Sequence, residues 1–300
     1  MVYDKDGGDI FAVYDAAGIE ADSAYDVAGN QVHFAIKPVD YSQYTFEQVW
    51  ASKGIGDTQG FDIYDGKVFW VKKRGNDTIP STCYVWDLAT GGQALSSQTI
   101  TIYSGHGNNL CFDFPKLYAD SAYTQHIYVN EMASNFLSAT LVKTLLLTDD
   151  CTDNDACIDE TDKSILWSLG HISLSAANHI VSKWNLDNLT DNGDGTFSPE
   201  LLQSVFTPVS SGASHYYQGC KFHDGMLWYA SGYYGSSPAY VHAVNPNTGE
   251  VLYTIDCETT EEPEGIAWVA DRSVPGGYVL YVGFQGMMLR KYTFAEISAD

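Results

Sequence analysis

Polar side chains that could grip a ligand recur at matching places in this sequence of 300 residues. Gln59, Gln218 and Glu264 each stand directly before a glycine, and His106 stands before Gly107 with Asn108 and Asn109 following. Amides, an imidazole and a carboxylate converging on one mouth would suit a polyol, a sugar phosphate or a metal ion. A second set is aromatic and hydroxyl-rich: His215-Tyr216-Tyr217, and Tyr233 with Tyr234 in the stretch Ser231-Gly232-Tyr233-Tyr234-Gly235-Ser236-Ser237. Tyrosine offers flat apolar area with a hydrogen-bonding tip, which suits glycans and protein surfaces. A third set is acidic. Asp150, Asp153 and Asp155 cluster hard oxygens suited to calcium, without the spacing of an EF-hand loop. The other candidate, Asp191-Asn192-Gly193-Asp194-Gly195-Thr196, reads as an ordinary turn. GxSxG, P-loop, HExxH and Rossmann signatures are all missing, so the reading leans away from an enzyme. His106 and Glu264 are the pair from which acid–base chemistry would have to be built.

Such residues matter only if something brings them together, and the spacing says what. Gln59-Gly60-Phe61-Asp62-Ile63-Tyr64-Asp65-Gly66-Lys67-Val68-Phe69-Trp70 aligns without a gap on Gln218-Gly219-Cys220-Lys221-Phe222-His223-Asp224-Gly225-Met226-Leu227-Trp228-Tyr229. Each copy reads as strand, Asp-Gly hairpin turn, strand. Third strands follow at 83–88 and 240–244, and a fourth is clearest at 250–255. Weaker relatives fill the gaps, so four-stranded units start near residues 59, 106, 157, 218 and 264. Units of this kind, repeated around an axis, bury their faces against one another. The sequence is therefore read as all-β: a five-bladed β-propeller over residues 34–300, preceded by a short β-repeat segment over residues 1–33. The glycine after each polar residue fits inner strands that crowd at the axis. Residues 31–50, with Tyr41, Tyr44, Phe46 and Trp50, are expected to hold the strand that closes the ring, or a connector.

Composition agrees with strands. There are 21 Tyr, 13 Phe and 7 Trp, and helix-type periodicity is scarce. The formal net charge of −23 repels phosphate backbones and anionic lipid, which argues against nucleic-acid and membrane partners. The first residues, Met1-Val2-Tyr3-Asp4-Lys5-Asp6, do not read as a secretory leader. Six cysteines are too sparse for a disulfide scaffold and form no CxxC pair. They are read as buried thiols, with Cys151 and Cys157 the pair that a bridge could join. Calcium aside, the sequence asks for no cofactor.

Tyr-Asp-x-x-Gly recurs at Tyr3, Tyr14 and Tyr25. A segment this short cannot bury much of its own surface. It is expected to pair with copies of itself, making a homo-oligomer, or with another protein; a β-meander docked on the ring is the alternative.

The unit Gln59-Gly60…Asp65-Gly66, followed by Gly105-His106-Gly107-Asn108-Asn109, resembles the five-bladed propeller of phage receptor-binding proteins that recognise wall teichoic acid. That group also includes bacterial proteins of the teichoic-acid-biosynthesis type. The resemblance spans about residues 55–297 and is clearest in the first two units. The N-terminal repeats are similar to those of gut-phage structural proteins. Together these resemblances imply a phage fibre or tail protein made in the bacterial cytoplasm and carried in the virion. It would be a non-catalytic module that joins other virion proteins and docks on a host cell-surface glycan, whose identity the resemblance does not fix. Gln218-Gly219…Asp224-Gly225…Ser231-Gly232-Tyr233-Tyr234-Gly235 also resembles the blade motif of plant-type glutaminyl cyclases, propellers that cyclise N-terminal glutamine. Under that resemblance Glu264 is the acid–base candidate. A structural virion decoration without a ligand is the third alternative.

Overall fold

The structure is a computed structural model that describes residues 2–3, 9–10, 23–25, 31–33, 38–72, 80–92, 99–121, 124–171, 178–208, 216–233, 235 and 237–297. The described residues are all-β, with one 3-10 turn at Pro275–Gly277. Near the N-terminus, β1 (Val2–Tyr3) pairs with β2 (Asp9–Ile10), and β3 (Ser23–Tyr25) with β4 (Gln31–His33). Most of the Tyr-Asp-x-x-Gly segment lies outside the described residues.

From residue 39 onward the described strands fall into five antiparallel groups of four. The first is β6 (Thr58–Tyr64), β7 (Lys67–Lys72), β8 (Ser81–Asp87) and β9 (Thr99–Ile102). The second is β10 (Leu110–Asp113), β11 (Lys116–Asp120), β12 (His126–Met132) and β13 (Ala139–Leu146). The third is β14 (Asp153–Ile158), β15 (Ile165–His171), β16 (Asn178–Asp191) and β17 (Thr196–Pro208). A short parallel contact, Thr144 with Thr196 and Leu145 with Phe197, joins the second and third groups into one eight-stranded sheet. The fourth group is β18 (Tyr217–His223), β19 (Met226–Tyr233), β20 (Ser237–Val244) and β21 (Val251–Asp256). The fifth takes β22 (Pro263–Ala270), β23 (Tyr278–Phe284) and β24 (Met288–Glu296) from the C-terminus. Its outermost strand is β5 (Val39–Trp50), from before the first group. β5 runs antiparallel to β24, from Val39 opposite Glu296 to Trp50 opposite Leu289.

The two Asp-Gly turns form as their chemistry requires. Asp65 and Gly66 have φ of 49° and 66°, and Asp224 and Gly225 have 51° and 72°. Two successive positive φ values match the twist of the flanking strands, and Asp-Gly tolerates them at little cost.

Burial falls from the first strand of each group to the last. β6, β18 and most of β22 are buried along their length, whereas β13 and β21 alternate between half-buried and exposed. The first strands touch in a closed cycle: β6 meets β10 and β22, β14 meets β10 and β18, and β18 meets β22. Apolar side chains fill the seams between neighbouring groups. Phe69, Val71 and Val85 pack on Leu110, Leu117 and Met132 between the first and second. Trp167, Leu169 and Trp184 share a core with Ile127 on one side and with Tyr217 and Tyr229 on the other. Trp228 and Val241 meet Leu280 and Tyr292, and Phe61 and Trp70 meet Val279 and Leu289. Among the described residues the inner strands of each sheet are thus buried against the neighbouring sheets, with no helix covering them. All six cysteines are buried and none is joined in a disulfide, Cys151 and Cys157 included.

Candidate functional site

The polar residues singled out in the sequence gather at one end of the cycle of first strands. Gln59, Gln218 and Glu264 lie near the starts of β6, β18 and β22, with His106, Asn108 and Asn109 just before β10. The glycines between them explain the crowding. A Cβ on Gly60 would lie 2.6 Å from the backbone of Asn109, and one on Gly219 would lie 2.9 Å from Gly265 Cα and 3.2 Å from Asn109 Oδ1. Backbones this close leave no room for a side chain.

The surrounding polar groups are knitted together. Asn109 Nδ2 donates to Ala156 O at 2.7 Å, Gln218 Nε2 to Glu262 Oε1 at 2.9 Å, and Gly219 N to Asp155 Oδ2 at 2.6 Å. Only 5% of Gln59, 6% of Gln218, 1% of Asn109 and none of Glu264 is exposed. His106 is buried as well, and Asn108 is half-buried.

The other candidates are dispersed. Tyr233 is 47% exposed and stacks on Tyr216 with ring centroids 5.1 Å apart, while His215 and Tyr234 lie outside the described residues. Asp150 is exposed, Asp153 is described only as part of β14, and Asp155 holds Gly219. Asp149, their neighbour, accepts hydrogen bonds from Asn154 Nδ2 at 3.1 Å and Ser182 Oγ at 2.8 Å, which ties the acidic loop to β16. Among the described residues no three His, Cys, Asp or Glu side chains come together in a way that would hold a metal.

A cleft that the sequence reading missed opens at the opposite end of the first strands. It encloses about 200 Å³, and its lining includes Asp62, Phe112, Glu160, Lys221, His223 and Trp268. Lys221 Nζ donates to Asp62 Oδ2 at 2.7 Å and also to Leu110 O. Asp62 further accepts from Ile63 N at 2.8 Å and from Phe112 N at 2.7 Å. Burial pulls the Lys221 ammonium toward deprotonation, but the charge and hydrogen bond of Asp62, together with Cys111 and Cys157 nearby, outweigh it and hold the lysine above its ordinary range.

At the rim, Glu160 accepts from His223 Nδ1 at 2.8 Å and from Asp224 N at 2.6 Å. With Nδ1 committed to a carboxylate, Nε2 is the ring nitrogen left for a ligand. His223 lies between two aromatic rings, stacked on Trp268 at 4.2 Å and tilted against Tyr278 at 4.6 Å. Tyr41, on β5, donates to Asp224 Oδ2 at 3.0 Å. Burial first, and the Asp224 charge second, keep its hydroxyl protonated well above the usual tyrosine range. Flat aromatic walls, a fixed cation and an oriented imidazole can hold a hydroxylated or amino-bearing ring and can exchange a proton with it.

One signal in the sequence could have found this site. Asp62 and Lys221 occupy the same slot of the two aligned repeats, three residues past Gln59 and Gln218. Opposite charges at equivalent places in otherwise apolar strands mark a buried pair.

Comparison with protein-family models and with curated proteins finds no match. Among solved structures, the chain is similar to the glutaminyl cyclase of Myxococcus xanthus, with a TM-score of 0.55 at 14% identity over 86% of this chain and 100% of that one. It is also similar to the tail fibre of a Staphylococcus aureus phage, with a TM-score of 0.50 at 12% identity over 85% of this chain and 53% of that one. The chain thus spans about half the length of the fibre protein. At these identities the likeness is one of fold.

Proposed function

We propose that the chain is a five-bladed β-propeller serving as a non-catalytic receptor-binding module of a phage fibre, and that it grips a host-surface glycan in the cleft around His223 and Trp268. The reading of the fold is supported by the five groups of four strands with touching first strands, and by the shared fold of a phage tail fibre and a glutaminyl cyclase. The observation that carries the function is the cleft itself. Its aromatic walls, Trp268, Tyr278 and Phe112, stand beside polar groups already held in place, which is the composition that sugar rings favour.

The test is binding of the purified chain to intact bacteria and to immobilised wall teichoic acids, capsular polysaccharides and lipopolysaccharide O-chains. A glycan that binds wild type should lose at least tenfold in affinity with Trp268→Ala. A folded protein that binds none of these surfaces contradicts the proposal and leaves the ligand-free virion component as the better account.

The Glu160–His223 pair favours a second reading. A carboxylate that orients an imidazole in a cleft is the arrangement of a general base. In cyclisation of N-terminal glutamine the base takes a proton from the α-amine. The amine nitrogen then bonds to the side-chain carboxamide carbon, and ammonia leaves. Glu264, the acid–base candidate of the sequence, is wholly buried among the starts of the first strands and does not line this cleft. Ammonia release from a glutamine-led peptide, abolished by His223→Gln, would replace the adhesin reading with this one.

A further inference from the structure

The enclosed end of the first strands has an excess of oxygen acceptors. Two of its amides are oriented by their own N–H groups, because Asn109 Nδ2 is bound to Ala156 O and Gln218 Nε2 to Glu262 Oε1. Their carbonyl oxygens, Asn109 Oδ1 and Gln218 Oε1, are therefore the atoms left over. Both are buried with no hydrogen-bond donor among the described residues, as are Gln59 Oε1 and Asn108 Oδ1. Asn109 Oδ1 lies in the constriction itself, 3.2 Å from the Cβ position of Gly219, which in turn abuts Gly265. Gln218 and Glu264 immediately precede those two glycines, and Gln59 precedes Gly60 where it presses on Asn109. Four desolvated amide oxygens thus come from three sheets, beside a fully buried glutamate from a fourth. Acceptors in this state are costly unless something positive or protic fills the space between them.

We propose that these oxygens are the ligands of an axial cation of the hard, oxygen-seeking class, with Ca²⁺ the best fit. The donor set is carbonyl and carboxylate oxygen, which excludes a preference for thiolate- or imidazole-seeking metals. Neutral amide oxygens and an irregular, multi-sheet geometry suit calcium better than the strict octahedron of magnesium. The site is separate from the cleft and from Asp149 and Asp150 of the acidic loop; Asp155 reaches it only through its hydrogen bond from Gly219 N. It would staple the sheets of β6, β10, β18 and β22 at their most crowded point.

The experiment uses the full chain, stripped with EDTA, dialysed and titrated with CaCl₂ by calorimetry and by thermal unfolding, with MgCl₂ in a parallel arm. The expected result is about one equivalent of Ca²⁺ bound and a Tm that rises with its concentration, with Mg²⁺ at least tenfold weaker. Gln218→Met should weaken Ca²⁺ at least tenfold. Gln59→Met gives a second reading should Gln218→Met not fold, because among the described residues the Gln59 side chain makes no hydrogen bond that ties neighbouring sheets together. Asp150→Ala should bind as wild type. No bound Ca²⁺, Ca²⁺ binding unchanged in the glutamine variants, or Ca²⁺ binding lost in Asp150→Ala would each overturn the proposal.

Discussion

Lys221 and Asp62 stand at the same position of two copies of one repeat, and their side chains meet at 2.7 Å. The duplicated unit has thus been divided into an anionic and a cationic half that close on each other between the first and fourth sheets. Both side chains are buried, so neither charge is tolerable alone. Lys221→Met or Asp62→Asn should each cost about 3–5 kcal/mol, whereas Lys221→Met combined with Asp62→Leu should recover much of that loss. Urea denaturation measures all three, and a midpoint like that of wild type in either single variant would sink the argument.

The constriction at the glycines makes a steric prediction. Gly60→Ala would drive a methyl group to 2.6 Å from the Asn109 backbone, where no flexible side chain can yield. The cost should be about 2 kcal/mol or more. Gly56→Ala, with nothing within 4 Å of its Cβ position, should be nearly silent in the same denaturation assay.

His242 gives the pH dependence a sign. It lies between Ser231 Oγ at 3.0 Å and Thr254 Oγ1 at 3.1 Å, and burial pushes its imidazole from 6.5 down to about 4. Above pH 6.5 neither the folded nor the unfolded chain protonates it, and its contribution is intact. As pH falls from there toward 4, only the unfolded chain takes up the proton, and about 3 kcal/mol is lost. Stability measured from pH 7.5 to pH 4.5 should fall less steeply in His242→Gln than in wild type. Identical slopes would place the buried imidazole elsewhere.

Tyr41 ties the closing strand to the fourth sheet through its bond to Asp224, and its ring lies edge-on to Trp228 and Trp268. Tyr41→Phe should cost about 1 kcal/mol, the net worth of one hydrogen bond. Tyr41→Ala should cost about 3–5 kcal/mol, because a cavity opens as well. Equal losses in thermal unfolding would mean that the ring is not packed as described.

Much of the architecture was legible in the sequence because turn chemistry and repeat spacing are local. Asp65-Gly66 and Asp224-Gly225 announce paired positive φ values, and the aligned copies place the first strands of two sheets. The third group was harder to place, since its repeat signal fades. The cleft was missed for the same reason. Glu160 comes from that faded unit, and Trp268 and Tyr278 come from two strands of the fifth sheet, so no motif linked them to His223. The residues before the glycines lie at or just before the starts of the first strands. Their near-complete burial was not readable, because it depends on how closely backbones from different sheets approach.

The pairing of β5 with β24 has a mechanical consequence. Residue pairs from Val39–Glu296 to Trp50–Leu289 lie side by side along one strand. A pull on the N-terminal segment directed along that strand loads these bonds in shear, so they must fail together rather than peel one after another. A tether fixed at that end would transmit tension to the whole body before opening the fifth sheet.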